Sequence, residues 1–227
     1  MKKNMCFIVV CAMAVLLSLG SCGQKGETQE LKLESKEYPK NEIFGNLFGL
    51  RYQQYRNDSI IKAWYSERID ELVVEMRGKE AEQIRQQYDE LLKKRDEDLN
   101  KQYDNYAALY EIEDKRISGN EIPFEMEEEL GYVVDHLFVN SISDEGFITL
   151  GCGISNVDSK LTEGNTIPVL HCESLDSKGN VIEYFAFASF VTLDLENRRI
   201  QYSTPLIFHE KDAYKFFDFA KVRFFKK

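Results

Sequence analysis

Cys152 stands between two glycines in "GCG", residues 151–153, and the chain's histidines lie at 136, 171 and 209. A thiol on a sharp turn with an imidazole in reach is the arrangement of a cysteine nucleophile and its base. The surrounding "FITLGCGIS" alternates like a strand instead. Glycine inside a strand marks a bulge or a close approach of backbone. Glutamates crowd "EMEEEL", residues 125–130, and could gather a calcium ion. Calcium loops space their oxygens around a tight turn, as in D-x-D-x-D-G, so this run reads as a solvated acidic face. "AYKFFDFAKVRFF", residues 213–225, could present an aromatic strip to a sugar or a protein. A closing strand and its core account for the same residues without a partner to cover them, and Trp64 is read as core likewise.

Other reaction signatures are missing from the sequence. No glycine-rich phosphate loop, HExxH or GxSxG occurs, and histidines are too few and too scattered for a zinc site. The sequence therefore assigns no catalytic, cofactor-binding or metal-ligating residue. Carboxylates far apart in sequence can still meet in the fold. Cys152 and Cys172 each lie in an apolar stretch, "ITLGCGI" and "IPVLHCES". They are a candidate disulfide in an oxidising compartment, or two small buried hydrophobes. Asn57-Asp58-Ser59 fits the N-glycosylation acceptor, with Asn57 as its attachment site. Asp58-Ser59-Ile60 resembles the O-glycosylation motif of some Gram-negative envelope proteins, with Ser59 as its site. Helix capping by Asp58 or Ser59 explains the same residues.

The most specific chemistry lies near the start. Lys2 and Lys3 precede an apolar run, Met5–Leu17, and the exit reads Leu19-Gly20-Ser21-Cys22. Thirteen helical residues span about 20 Å, short of a hydrocarbon core of roughly 30 Å. A basic start, a short apolar middle and small residues at the exit describe a secretory leader. The exit resembles the lipobox of bacterial lipoproteins. That resemblance covers residues 1–22 and implies that Cys22 carries a diacylglycerol and becomes the first mature residue. It implies a lipid bilayer as partner. Gly23 in place of an aspartate leans towards the outer membrane.

Charge agrees with a lipid rather than an ionic anchor. The chain carries 29 basic and 39 acidic residues. Loss of Lys2 and Lys3 with the leader takes the net charge from −10 to −12. Such a chain repels nucleic acid and is not drawn to anionic headgroups.

The elements follow from pattern. Residues 22–40 are polar and without period, a tether. After Asn41, a helix cap, apolar residues recur every three or four positions: Phe44, Leu47, Phe48, Tyr52, Tyr55, Ile61, Tyr65 and onward, then Ile84 to Tyr110. Acid-to-base pairs at i, i+4 line the other face, as in Glu90 and Lys94. The stripe is thin between 80 and 103 and is not a strict heptad coiled coil. One helix of roughly 110 Å, or an antiparallel hairpin turning near Arg77-Gly78-Lys79, fits residues 41–118; the hairpin is preferred. "RISGNEIP", residues 116–123, ends the helix through Gly119 and Pro123. Strand-like alternation then runs at 132–139, 147–154, 167–172, 181–193, 200–208 and 217–225. Turn sequences separate the runs at 143–146, 176–180 and 195–198.

The expected class is α+β. A leader (1–21) and tether (22–40) precede a helical segment (41–118), followed by an all-β sandwich (123–227), immunoglobulin-like by frequency of that topology. The expected function is an envelope lipoprotein acting as a binding or structural module. Helical oligomerisation or docking on an envelope complex comes second, and an envelope hydrolase third.

Overall fold

A computed structural model describes residues 30–75, 81–157, 167–188, 191–194 and 199–227. Cys22 and the whole leader, the glycine at 78 and the turn at 195–198 lie outside the described residues. The protein is α+β: two helices lead into two sheets.

Helix α1 spans Leu47–Glu75 and α2 spans Ala81–Ile117. They run antiparallel, because partners converge pairwise along them. Asn57 Nδ2 donates to the Tyr106 hydroxyl (3.1 Å), and the Tyr65 hydroxyl donates to Asp98 (2.7 Å). The periodic stripe supplies the seam: Ile61, Tyr65, Ile84, Tyr106 and Tyr110 are buried. Exposed ion pairs such as Lys94–Glu90 (2.9 Å) line the outside. Lys93 pairs forward with Glu97 (3.8 Å).

Asn41 does cap, but it caps a turn that comes before the helix. Its Oδ1 accepts from the Ile43 and Phe44 amides, while its Nδ2 donates to the Phe219 carbonyl (2.8 Å), fixing the helix entry to the last strand. Residues 31–40, polar in sequence, run against α1 rather than free of it. The Glu34 amide donates to Asn57 Oδ1 (2.8 Å), and Tyr38 packs edge-on against Tyr52 (5.3 Å).

Eight strands are described: β1 (Phe124–Met126), β2 (Val133–Ile142), β3 (Ile148–Ser155), β4 (Leu170–Asp176), β5 (Val181–Phe187), β6 (Val191–Asp194), β7 (Arg199–Leu206) and β8 (Phe219–Phe225). One sheet has the order β1-β8-β4-β5, the other β2-β3-β7-β6. All pairings are antiparallel except β1 with β8. The predicted turns at 143–146 and 176–180 close the β2–β3 and β4–β5 hairpins. The run at 181–193 divides into two strands that serve different sheets.

Inner faces of both sheets feed one core that also takes Phe44, Leu47, Phe48 and Tyr110 from the helical side. Across that core Phe187 of β5 meets Tyr202 of β7 at 6.3 Å. Residues 31–227 accordingly form one compact unit. The junction is aromatic. Phe48 stacks on Phe216 (4.9 Å), which lies in a short 3-10 helix, Glu210–Phe216.

Arg51 pins the same junction electrostatically. Its side chain is 3% exposed. It donates to the Glu145 carbonyl in the β2–β3 turn and to Glu210 (3.1 Å). Its guanidinium lies over Phe147 (4.9 Å) and Phe208 (5.6 Å). Arg51→Ala is expected to lose about 3 kcal/mol, the low end for breaking a buried pair, because half-exposed Glu210 is not left stranded. Glu210→Gln removes the counter-charge of the buried guanidinium but leaves an amide oxygen to accept its hydrogen bond, and should lose less, about 1–2 kcal/mol. Urea midpoints for the two variants check this ordering; equal losses would contradict it.

Candidate functional site

The glycines of "GCG" make room for side chains rather than for a nucleophile. β2 and β3 pair with Phe138 opposite Gly151 and His136 opposite Gly153. Outward-facing side chains normally stand up from a sheet and alternate with inward ones. Here they lie down across the neighbouring strand. The tip of the Phe138 ring sits where a Cβ on Gly151 would be, 2.3 Å from that position. The His136 ring does the same over Gly153, at 2.2 Å. A side chain on either glycine would displace a ring.

The row is tied down on its far side by β7. His136 Nε2 and Gln201 Oε1 are hydrogen-bonded at 3.1 Å, across the width of β3. Asn140 Nδ2 donates to Ser203 Oγ at 3.4 Å. The His136 and Phe138 ring centroids are 5.6 Å apart with planes inclined by 31°. Two rings, two amides and a hydroxyl therefore share one outer face, held by β2, β3 and β7. All of these side chains remain partly or fully exposed. The strand that underlies them is packed into the core by its other face: Leu150, Cys152 and Ile154 are at most 1% exposed.

Cys152 faces the opposite way. It is a free thiol in the core, as is Cys172, and the two lie on different sheets. Burial pushes the Cys152 thiol up to about 12 and raises Cys172 further. Such thiols stay protonated and unreactive. His136, on the outer face, cannot serve Cys152 on the inner one. His171 lies beside Phe225 (6.0 Å) on the outer face of the other sheet, and His209 precedes the 3-10 helix. Both cysteines stand in the structure as free, buried thiols, Cys152 on β3 and Cys172 on β4.

The remaining sequence candidates fall elsewhere. Within "EMEEEL", Glu125 is on β1 and ion-paired with Lys221 and with Arg223 (2.7 Å), which hold its carboxyl below the usual range. Arg223 also binds Glu173 (2.7 Å), so the outer face of this sheet is a ladder of charges. Among the described residues no cluster suits a metal ion. Of the five phenylalanines at 216–225, Phe216, Phe219 and Phe224 are core, Phe217 packs against it, and Phe225 lies beside Tyr184 on the outer face. Trp64 is only half-buried, with Arg68 over its ring at 3.3 Å.

Asn57 is 4% exposed, and its amide is bonded to Glu34 and Tyr106. A glycan there would break both bonds. Ser59 is exposed and donates to the Tyr55 carbonyl (2.8 Å). Asp58 and Ser59 sit in the middle of α1, so neither caps it. Desolvation raises the Asp58 carboxyl. No described helix is long and apolar enough to cross a membrane.

Sequence reasoning missed Phe138, Asn140, Gln201 and Ser203. The signal was present as ring-sized residues at 136 and 138 against glycines at 151 and 153, about a turn at 143–146. The chain matches no family model, no curated protein and no solved structure.

Proposed function

We propose that the protein is an envelope lipoprotein, tethered through a lipid on Cys22, whose outer β2-β3-β7 face is a non-catalytic binding surface. The observation that carries the binding part is the row of side chains laid across Gly151 and Gly153 and anchored to β7. A surface ordered before a ligand arrives loses little side-chain entropy on binding. The helical hairpin is fused to the sheets that carry that face through Phe48 and Arg51. The anchor rests on the lipobox resemblance, and one acyl chain alone would hold only marginally, so the mature terminus carries more than one. The outer membrane is the proposed site.

The β part is an immunoglobulin-like sandwich in this reading. The order β2-β3-β7-β6 corresponds to strands A-B-E-D, and β8-β4-β5 to F-C-C′. The place of the final strand G is taken by β1, which runs parallel to β8.

Cys22→Ala tests the anchor. The variant is expected almost entirely in the soluble envelope fraction, with wild type in the membrane fraction. Equal retention of both on membranes would contradict the assignment.

A second reading gives the binding role to the hairpin, through self-association or docking on an envelope complex. It is favoured by exposed apolar side chains there: Val74 is 73% and Ile112 is 60% exposed. Scattered exposed apolar residues are ordinary, so this stands behind the ordered face.

A further inference from the structure

Resting on the reading of the β2-β3-β7 face as a binding surface, we infer that its ligand is a neutral saccharide. The first argument is charge. The chain has a net charge of −10 and is 30% charged residues, yet the middle of this face is formed by His136, Phe138, Asn140, Thr149, Gln201 and Ser203. The outer face of the other sheet shows the contrast, with Glu125, Lys221, Arg223 and Glu173 side by side. Fixed charge stands beyond His136, where exposed Asp135 accepts from Ser155 Oγ (2.6 Å), and not along the row from His136 to Ser203. A row without fixed charge, in a chain otherwise dense with it, gives an ionic ligand little to pair with and does not repel an uncharged one.

The second argument is the chemistry of the row. Phe138 reaches across the sheet with its ring tip over Gly151 and stays partly exposed, so it forms a low aromatic platform rather than an upright side chain. An aromatic face carries negative quadrupole density. The axial C–H groups on one side of a pyranose carry slight positive charge and fit that face. Hydroxyls around the sugar rim then need donors and acceptors within a few ångströms. Gln201 uses its carbonyl oxygen on His136 and carries an NH2 group as donor. Asn140 donates to Ser203 and carries a carbonyl oxygen as acceptor. Phe138 lies between these amides, because His136, Phe138 and Asn140 follow one another along β2 and reach the same way across β3. An apolar platform with amides at both ends is a complement to a ring with apolar faces and a polar edge. A peptide strand would seek an open sheet edge and its backbone groups, not the outer face of a central strand.

The probes are neutral gluco-, manno-, xylo- and galacto-oligosaccharides and N-acetylglucosamine oligomers, with hyaluronate and polygalacturonate as charged comparators. Full-length mature protein in detergent micelles is titrated against each, and its retention on isolated envelope material is measured with and without them. At least one neutral oligosaccharide is expected to bind. Phe138→Ala should weaken that binding at least about 10-fold, Phe138→Tyr should keep it, and both variants should retain the wild-type circular dichroism. Binding confined to the charged polymers, or to none of the probes, overturns the inference. Phe138-dependent retention on envelope material that neutral sugars fail to displace overturns the saccharide while leaving the binding face standing. Retention that Phe138→Ala does not change overturns both.

Discussion

Phe48→Ala is expected to destabilise the protein by about 4 kcal/mol, in the range of buried aromatic truncations. For a chain of this size that lowers the melting temperature by roughly 12 °C. The residue is 1% exposed and touches three other rings: Phe44 and Phe216 at 4.9 Å each and Phe208 at 5.7 Å. Two of those rings belong to the segment between β7 and β8, so the cavity would open between the helical and β parts. Neither side can close it alone, because Arg51 holds the β2–β3 turn at a fixed distance from α1. Helical circular dichroism and tertiary near-ultraviolet signals should fall together, at the lowered temperature. A hairpin that melts on its own while the tertiary signal of the sheets persists would show that the two parts do not share a core.

Gly151→Ala is expected to disturb the outer face more than the core. Its methyl would occupy the position now held by the tip of the Phe138 ring, 2.3 Å away. The ring must then swing up from the sheet, at a cost of about 1–2 kcal/mol for overpacking. Binding to envelope material should fall at least about 10-fold, as for loss of a central aromatic contact. In a Phe138→Ala background the same substitution meets no ring. It should then be neutral or stabilising by up to about 1 kcal/mol, since glycine within a strand costs backbone entropy. The double-mutant cycle therefore predicts a coupling of about 2 kcal/mol between positions 138 and 151. An equal loss from Gly151→Ala in both backgrounds would place the clash elsewhere, and the row would lose its structural basis.

Much of the scaffold is legible in the sequence because it is local. Phe44, Leu47 and Phe48, then Tyr106 and Tyr110, recur at helical spacing and do form the buried stripe. Turn residues at 143–146 and 176–180 close hairpins between alternating strands. What the sequence conceals is non-local. β1 is three residues long and exists through its parallel partner, with Glu125 paired to Arg223 some hundred positions away. Arg51 stands one place from a helical stripe, and nothing in its neighbours announces that Glu145 and Glu210 will surround it.

The candidate site hides behind one irregularity. β2 and β3 begin in register at Ile142–Ile148, and an unbroken ladder from there would set Phe138 opposite Cys152. A shift between Val139 and Ser141 moves the pairing by one residue and brings Phe138 over Gly151 instead. A single inserted residue re-aims every side chain beyond it. Pattern alone shows two glycines and two rings; the bulge decides that they meet. The thiol between the glycines, a nucleophile by composition, is locked into the core by the alternation of β3 itself, on the same face as Leu150 and Ile154.

Hydrogen–deuterium exchange of the mature protein, with and without isolated envelope material, tests the central claim most directly. The account predicts added protection at residues 136–140, 149–153 and 201–203, abolished by Phe138→Ala. Protection confined to the helical hairpin, or unchanged exchange across β2, β3 and β7, would contradict it.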